Sequence, residues 1–276
     1  MDTSITKCIV VHLTGDPRYM HRLKIAADLA RRFDAHLDIV YALGPAHNPA
    51  PAIGRAMSME YLKEAAEAAT AAAARAEQEV KRFCDANVKS WTWYLEGGDV
   101  EEIVDRYAHL ADLVVVDQHP QGLLEDLLES DMTEHLLMSA GCSLLLVPTT
   151  WTDAPIGKDI LIAWKNSREA ISAVRSSLTF LRSAESVQIV AEAGDKKRGS
   201  SSGEDLQIYL SYHGVAATVL DSSNGQRRDI LKIAQEHNRD LIVMGSSGHS
   251  RFSRWIFGDL TEHVLRHTKV PVLMRH

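Results

Sequence analysis

A gapless internal match constrains this chain more than any other feature. "DLVVVDQHP" from Asp112 matches "DLIVMGSSG" from Asp240, "DMTEHLL" from Asp131 matches "DLTEHVL" from Asp259, and "CSLLLVP" from Cys142 matches "VPVLMRH" from Val270. The offset never changes: 240 − 112, 259 − 131 and 270 − 142 are all 128. Earlier, "KCIVVHLTGD" from Lys7 matches "KDILIAWKNS" from Lys158, an offset of 158 − 7 = 151. The first half thus carries 151 − 128 = 23 extra residues in its middle. A repeat this long is a duplicated domain rather than a solenoid unit. The domains are expected at 1–148 and 158–276, joined by the linker "PTTWTDAPIGKD", Pro148–Asp159, which has two prolines, one glycine and no periodicity.

Each half alternates short apolar runs with helix-period runs. Strands are expected in the first half at Lys7–Leu13, Ala35–Ala42, Val88–Leu95, Asp112–Val116 and Cys142–Val147. In the second half they are expected at Asp159–Trp164, Ser186–Ala191, Val215–Leu220, Asp240–Met244 and Val270–Met274. "RLKIAADLARRF" and "EAISAVRSSLTFL" read as helices. Strands apolar at nearly every position, alternating with helices, imply a parallel sheet covered on both faces. The fold class is therefore α/β: two tandem doubly wound, five-stranded parallel-sheet domains related by a pseudo-twofold axis. The extra residues fall around Glu60–Phe83, where abundant alanine and no Gly or Pro predict a long crossover helix, with a partner-binding helix as the alternative. The final strands are expected at sheet edges, helping to join the halves, and a homodimer through such apolar edges is expected as well.

Composition excludes several classes. A net charge of −7 argues against a general nucleic-acid binder, which needs a basic surface to neutralise phosphate. No apolar run reaches the ~20 residues of a membrane span, and the N-terminus lacks the pattern of a signal peptide. Cys8, Cys84 and Cys142 are odd in number and scattered, which suits reduced buried thiols. A soluble cytoplasmic protein is expected.

Three of the sixteen glycines, Gly245, Gly248 and Gly258, fall in one strand-to-helix connection, "GSSGHSRFSRWIFGD". Ligands of doubly wound sheets bind beyond the carboxyl ends of strands, where helix N-termini point their N–H groups. Gly245 is expected to take a positive φ, Gly248 to let backbone approach a ligand, and Gly258 to open the last helix with bare amides. The spacing is neither G-x-G-x-x-G nor the P-loop pattern. There is also no G-x-S-x-G elbow, so Ser246 and Ser247 suit ligand contacts better than nucleophilic catalysis, and no catalytic residue is assigned. Among thirteen histidines, His263 and His267 lie four apart on the last helix, but no H-E-x-x-H occurs and no metal site is assigned.

Two tandem α/β halves ending in strand–loop–helix–strand with G-x2-G-x9-G resemble the universal stress proteins, most specifically over Asp240–Met274. The resemblance implies an ATP or related adenine-nucleotide site, possible Mg²⁺ included, with the glycine loop around ribose and phosphates. It assigns Met244, Gly245, Ser247, Gly248, His249, Gly258, Asp259, Leu260 and Thr261 to that side, and Ala163, Trp164 and Val190 to the adenine side. It also implies a stress-response role through ligand-gated binding of an unknown protein partner. The runner-up readings are an ATP-independent small-molecule binder or scaffold and a slow ATP hydrolase. Two positions depart from the family pattern: Asp259 follows the third glycine in place of Ser or Thr, and Trp164 and Lys165 stand where an Asp usually ends the first strand. Asp259-Leu-Thr-Glu262 instead fits a capping box with Asp259 as N-cap. In the first half, Asp117, Pro120 and Ser130 replace the three glycines, so that half is not expected to bind ATP in the family manner.

Overall fold

The computed structural model describes residues 6–44, 59–118, 132–152, 154–191, 202–220, 229–246 and 259–276. The first half runs β1 (Cys8–Leu13), α1 (Tyr19–Phe33), β2 (His36–Leu43), α2 (Met59–Asn87), β3 (Trp91–Gly97), α3 (Val100–Ala108), β4 (Leu113–Asp117), α4 (Met132–Ser139) and β5 (Ser143–Val147). The second runs β6 (Asp159–Trp164), α5 (Arg168–Ser176), α6 (Leu178–Ser183), β7 (Ser186–Ala191), α7 (Gly203–Tyr212), β8 (Thr218–Val219), α8 (Ile230–Glu236), β9 (Leu241–Gly245), α9 (Asp259–His267) and β10 (Val272–Arg275).

The strands form one sheet, ordered β3-β2-β1-β4-β5-β10-β9-β6-β7-β8. Read outward from the middle, each half has the same doubly wound order, and within each half every pairing is parallel. The final strands lie, as expected, at the edges of their own five-stranded halves and join the two into one ten-stranded sheet. β5 and β10 pair antiparallel with each other and become the two central strands. Leu145 pairs with Leu273, its own counterpart at 145 + 128, while Leu144 and Leu146 pair with Met274 and Val272. A local twofold axis therefore passes through the Leu145–Leu273 pair. All six of these side chains are buried, and each contributes on the order of 1.5–3 kcal/mol relative to exposure.

One face of the sheet packs on α1, α2, α5, α6 and α7, the other on α3, α4, α8 and α9. The first of these cores runs across both halves. Phe33 of α1 meets Phe180 of α6 edge-on at 4.8 Å, and Thr6 Oγ1 donates to Thr179 Oγ1 at 3.3 Å. The alanine-rich α2 is the β2-to-β3 crossover, and it buries Ala73, Ala76, Val80 and Cys84, spaced three and four apart.

Two elements differ from their sequence reading. The single helix expected over 169–181 is broken at Ser177, whose backbone (φ −87°, ψ 2°) leaves the helical region. The hydroxyls of Ser176 and Ser177 donate back to the carbonyls of Ala173 and Val174, both at 3.0 Å, in competition with the helix ladder. The strand expected over Val215–Leu220 shortens to Thr218–Val219, which pairs with Gln188 and Ile189 of β7.

The repeated aspartates have one shared task. Asp112 Oδ2 accepts from the backbone N–H of Lys7 and Cys8 at 2.7 and 3.0 Å. Asp240 does the same for Gly157, Lys158 and Asp159 at 2.9–3.1 Å. Each ties down the start of the strand beside it.

All three cysteines are free thiols. Burial, aided at Cys8 by Asp38 and at Cys84 by Asp85, pushes both thiols up to about 12, and burial pushes Cys142 up to about 11. The thiolate is the reactive form. The folded protein is therefore expected to react with a thiol reagent at neutral pH far more slowly than the unfolded chain. Rapid labelling of Cys84 under native conditions would contradict that burial.

Candidate functional site

The second half presents the carboxyl ends of β6, β7 and β9 side by side. Register places Ala163 between Val190 and Met244. Alternation sends these three side chains to one face, where Val190 and Met244 are buried and Ala163 stays partly exposed. The small, partly exposed Ala163 thus sits between two larger buried side chains, an apolar notch one residue wide at the strand ends. Trp164, one residue on, points to the opposite face and is 6% exposed in the other core. The structure thus brings Ala163, Val190 and Met244 together and sets Trp164 apart from them.

Gly245 ends β9, and its expected positive φ is corrected: its φ is not among the positive values of the described glycines. A close approach demands the glycine instead. A Cβ on Gly245 would lie 2.4 Å from the Ala170 nitrogen and 2.5 Å from the Glu169 carbonyl carbon. The first turn of α5, capped by Ser167 accepting from Ala170 N at 3.2 Å, lies directly on the strand end.

Ser246 follows fully buried. Its N–H donates to Arg275 O at 2.9 Å, its carbonyl accepts from His276 Nδ1 at 2.9 Å, and its Oγ has no hydrogen-bond partner among the described residues. Ser247, Gly248, His249 and Gly258 lie outside the described residues, as do Pro120 and Ser130.

On the far side of the connection, Asp259 is the first residue of α9 rather than a cap one position outside it, and its side chain lies outside the description. Leu260 is 39% exposed, whereas Thr261 is 1% exposed and faces the core. Glu262, the other member of the expected capping box, pairs forward with Arg266 at 3.3 Å. His263 and His267 stack with ring centroids 4.7 Å apart. Among the described residues no group of three or more His, Cys, Asp or Glu could hold a metal ion.

The corresponding place in the first half is built from charge. Arg22, 5% exposed, donates from Nη2 to Asp16 at 2.5 Å, from Nη1 to Asp117, and from Nε to His12 O at 3.0 Å. Arg18 approaches Asp117 at 3.6 Å and reaches the carbonyls of Pro148 and Thr149 in the linker. By the offsets, Asp117 is the counterpart of Gly245 (117 + 128), and Arg22 and Asp16 are those of Ala173 and Ser167 (22 + 151, 16 + 151). Where the second half brings the first turn of α5 onto Gly245, the first half links α1 to the end of β4 with an ion pair.

Burial disfavours the ionised form of both carboxylates. At Asp16 the hydrogen bonds and charge of Arg22 prevail and hold the pKa below the usual value, while at Asp117 burial prevails and raises it. His12, the counterpart of Ala163 (12 + 151), is 7% exposed, and burial followed by repulsion from Arg22 pushes it down to about 3. It is neutral at physiological pH.

Sequence reasoning missed this network. Its signal was present, since two residues change together between the halves, small with small and cation with anion. It also missed Gln118, whose Nε2 donates at 2.9 Å to Leu265 O of α9, a buried bond between the halves.

Two doubly wound halves fused through their last strands, with a glycine-bearing strand-to-helix connection in one of them, define a tandem α/β protein. The Universal stress protein family profile matches residues 6–148 and 176–276, and the chain belongs to that family. A universal stress protein of Methanocaldococcus jannaschii is 37% identical over 46 residues, a match spanning 17% of this chain and 28% of that protein. The crystal structure of a universal stress protein from Archaeoglobus fulgidus superposes with a TM-score of 0.70 at 15% identity, covering 97% of this chain and 95% of that one. One from Pseudomonas aeruginosa gives 0.60 at 14% identity, covering 99% and 94%. Likeness at these identities concerns the fold. Among the described residues no helix is long and apolar enough to cross a membrane.

Proposed function

We propose that the second half binds an adenine nucleotide, ATP or a relative, one molecule per chain. In this reading nucleotide occupancy controls association with a protein partner in a cytoplasmic stress response. The observation that carries the reading is the Ala163–Val190–Met244 notch, open at the strand ends beside the glycine-bearing connection. A planar base needs an apolar seat, and phosphates need bare amides at a helix N-terminus. The first half supports the asymmetry, because the glycines of the connection are replaced there and Asp117, at the place of Gly245, is bound in an ion pair with Arg22. Any homodimer would use surfaces other than β5 and β10, which are already paired.

A second reading has its own observation. Asp259 begins α9 and sets an acidic residue at the helix end that favours anions. On that reading the ligand is less anionic than ATP, and the protein is an ATP-independent small-molecule binder.

One titration separates them. ATP is expected to bind once per chain and to need Mg²⁺ as a bridge to Asp259. Asp259→Ser is expected to bind ATP about tenfold more tightly, since a charge repulsion at the helix start disappears and a hydroxyl donor takes its place. Gly248→Val is expected to abolish binding. Two equal sites, or no gain in the Ser variant, would sink the ATP reading, and phosphate release over time would reveal a slow hydrolase.

A further inference from the structure

A groove of about 550 Å³ lies far from the notch, at the amino-terminal end of β6 and β7. One wall is α1 of the first half. The other is the linker with the starts of β6 and β7, so the groove straddles both halves. Its floor is aliphatic, with Ile25, Leu29 and Ile156 each less than a tenth exposed, and among the described residues no aromatic ring lines it.

Its charged groups are Lys24, Asp28, Arg31 and Arg32 from α1, and Lys158 and Glu185 from the opposite wall. Four cations thus face two anions, in a chain whose net charge is −7. Asp28 is shared between Arg31 at 2.5 Å and Arg32 at 3.8 Å. Glu185 serves Lys158 at 2.7 Å. Lys24 has no ionic partner among the described residues. Arg32 is held in place by donating to Ile156 O at 2.6 Å, which pre-orients one guanidinium at the wall. The local excess is therefore two positive charges, and one dianion would balance it.

We infer that this groove between the halves is a binding site for a small dianion, a phosphate monoester on an aliphatic or sugar body. Guanidinium groups match phosphate oxygens in geometry, and Lys24 adds a mobile point charge. The lack of an aromatic ring leaves nothing on which a nucleobase could stack, which separates this ligand from the nucleotide proposed at the notch. Bound there, the phosphate would touch α1 and the linker together and restrain one half against the other.

Phosphate esters gain their second charge near pH 6. Binding is therefore expected to strengthen as pH rises from about 5 to about 7.5, since no histidine among the described residues lines the groove. The test is a calorimetric titration of the intact chain with inorganic phosphate, glycerol 3-phosphate and glycerol. Both phosphates are expected to bind with a dissociation constant of about 1 mM or below, and glycerol is not. Lys24→Glu and Arg31→Glu, two exposed substitutions that leave the core alone, are each expected to weaken binding about tenfold or more. Gly248→Val is expected to leave it unchanged, which separates this groove from the notch. Unaltered affinity in both charge reversals, or no binding of either phosphate, overturns the assignment. Loss in Gly248→Val also overturns it, because the phosphate would then sit in the glycine connection.

Discussion

Arg22→Met is expected to destabilise the folded chain by about 3–5 kcal/mol near neutral pH, the usual cost of removing one partner from a buried ion pair. The guanidinium is 5% exposed and serves Asp16, Asp117 and the His12 carbonyl together. Without it two partly buried carboxylates remain together, with Arg18 near Asp117 as the remaining cation among the described residues. Methionine fills much of the volume, so the loss is electrostatic rather than a cavity.

The effect has a sign in pH. In the native protein Arg22 holds the Asp16 pKa down, so that contribution is present above the unfolded value and fades on acidification. Remove Arg22, and burial dominates both acids, as it already does at Asp117, raising their pKa values. A raised carboxyl pKa favours the fold at low pH and disfavours it as pH rises through that value. The deficit should therefore be largest at about pH 7 and smaller at about pH 5, as read from urea midpoints. A deficit independent of pH would mean that Arg22 acts through packing alone.

Gly245→Ala should be the most damaging single methyl group in the second half. Glycine to alanine in a strand ordinarily stabilises slightly by restricting the unfolded chain. Here the new Cβ would stand 2.4–2.9 Å from backbone atoms of Glu169 and Ala170, so no rotamer change can relieve it. The first turn of α5 must move, at about 3 kcal/mol, the upper end for overpacking. Because that turn adjoins the proposed nucleotide connection, ATP affinity should fall as well. Gly97→Ala is the matched control, since its Cβ meets nothing within 4 Å. Equal urea midpoints for the two variants would show that α5 yields freely and that Gly245 is not required by contact.

The sequence by itself determined the duplication, the doubly wound order and most strand positions. These follow from local pattern: apolar runs of strand length alternating with helical period, repeated at constant offset. β6 and β7 fall where that pattern puts them. It also marked the glycine connection and the loss of its glycines in the first half.

Tertiary structure alone decided how the halves meet. The repeat suggests that the final strands help join the halves, but the antiparallel pairing of Leu144–Leu146 with Val272–Met274 around one shared pair is set only in the fold. It decided too that Ala163, Val190 and Met244 share a face while Trp164 leaves it, because inter-strand register is a long-range property. Gly245 shows the difference most sharply. A glycine after a strand reads as a turn, but whether it is there for φ or for contact depends on a helix whose nearest residue is seventy-five positions earlier (245 − 170 = 75). Asp117 and Arg22 are bound by the same rule: they are ninety-five apart in the chain (117 − 22 = 95), and only the fold makes them one charge pair.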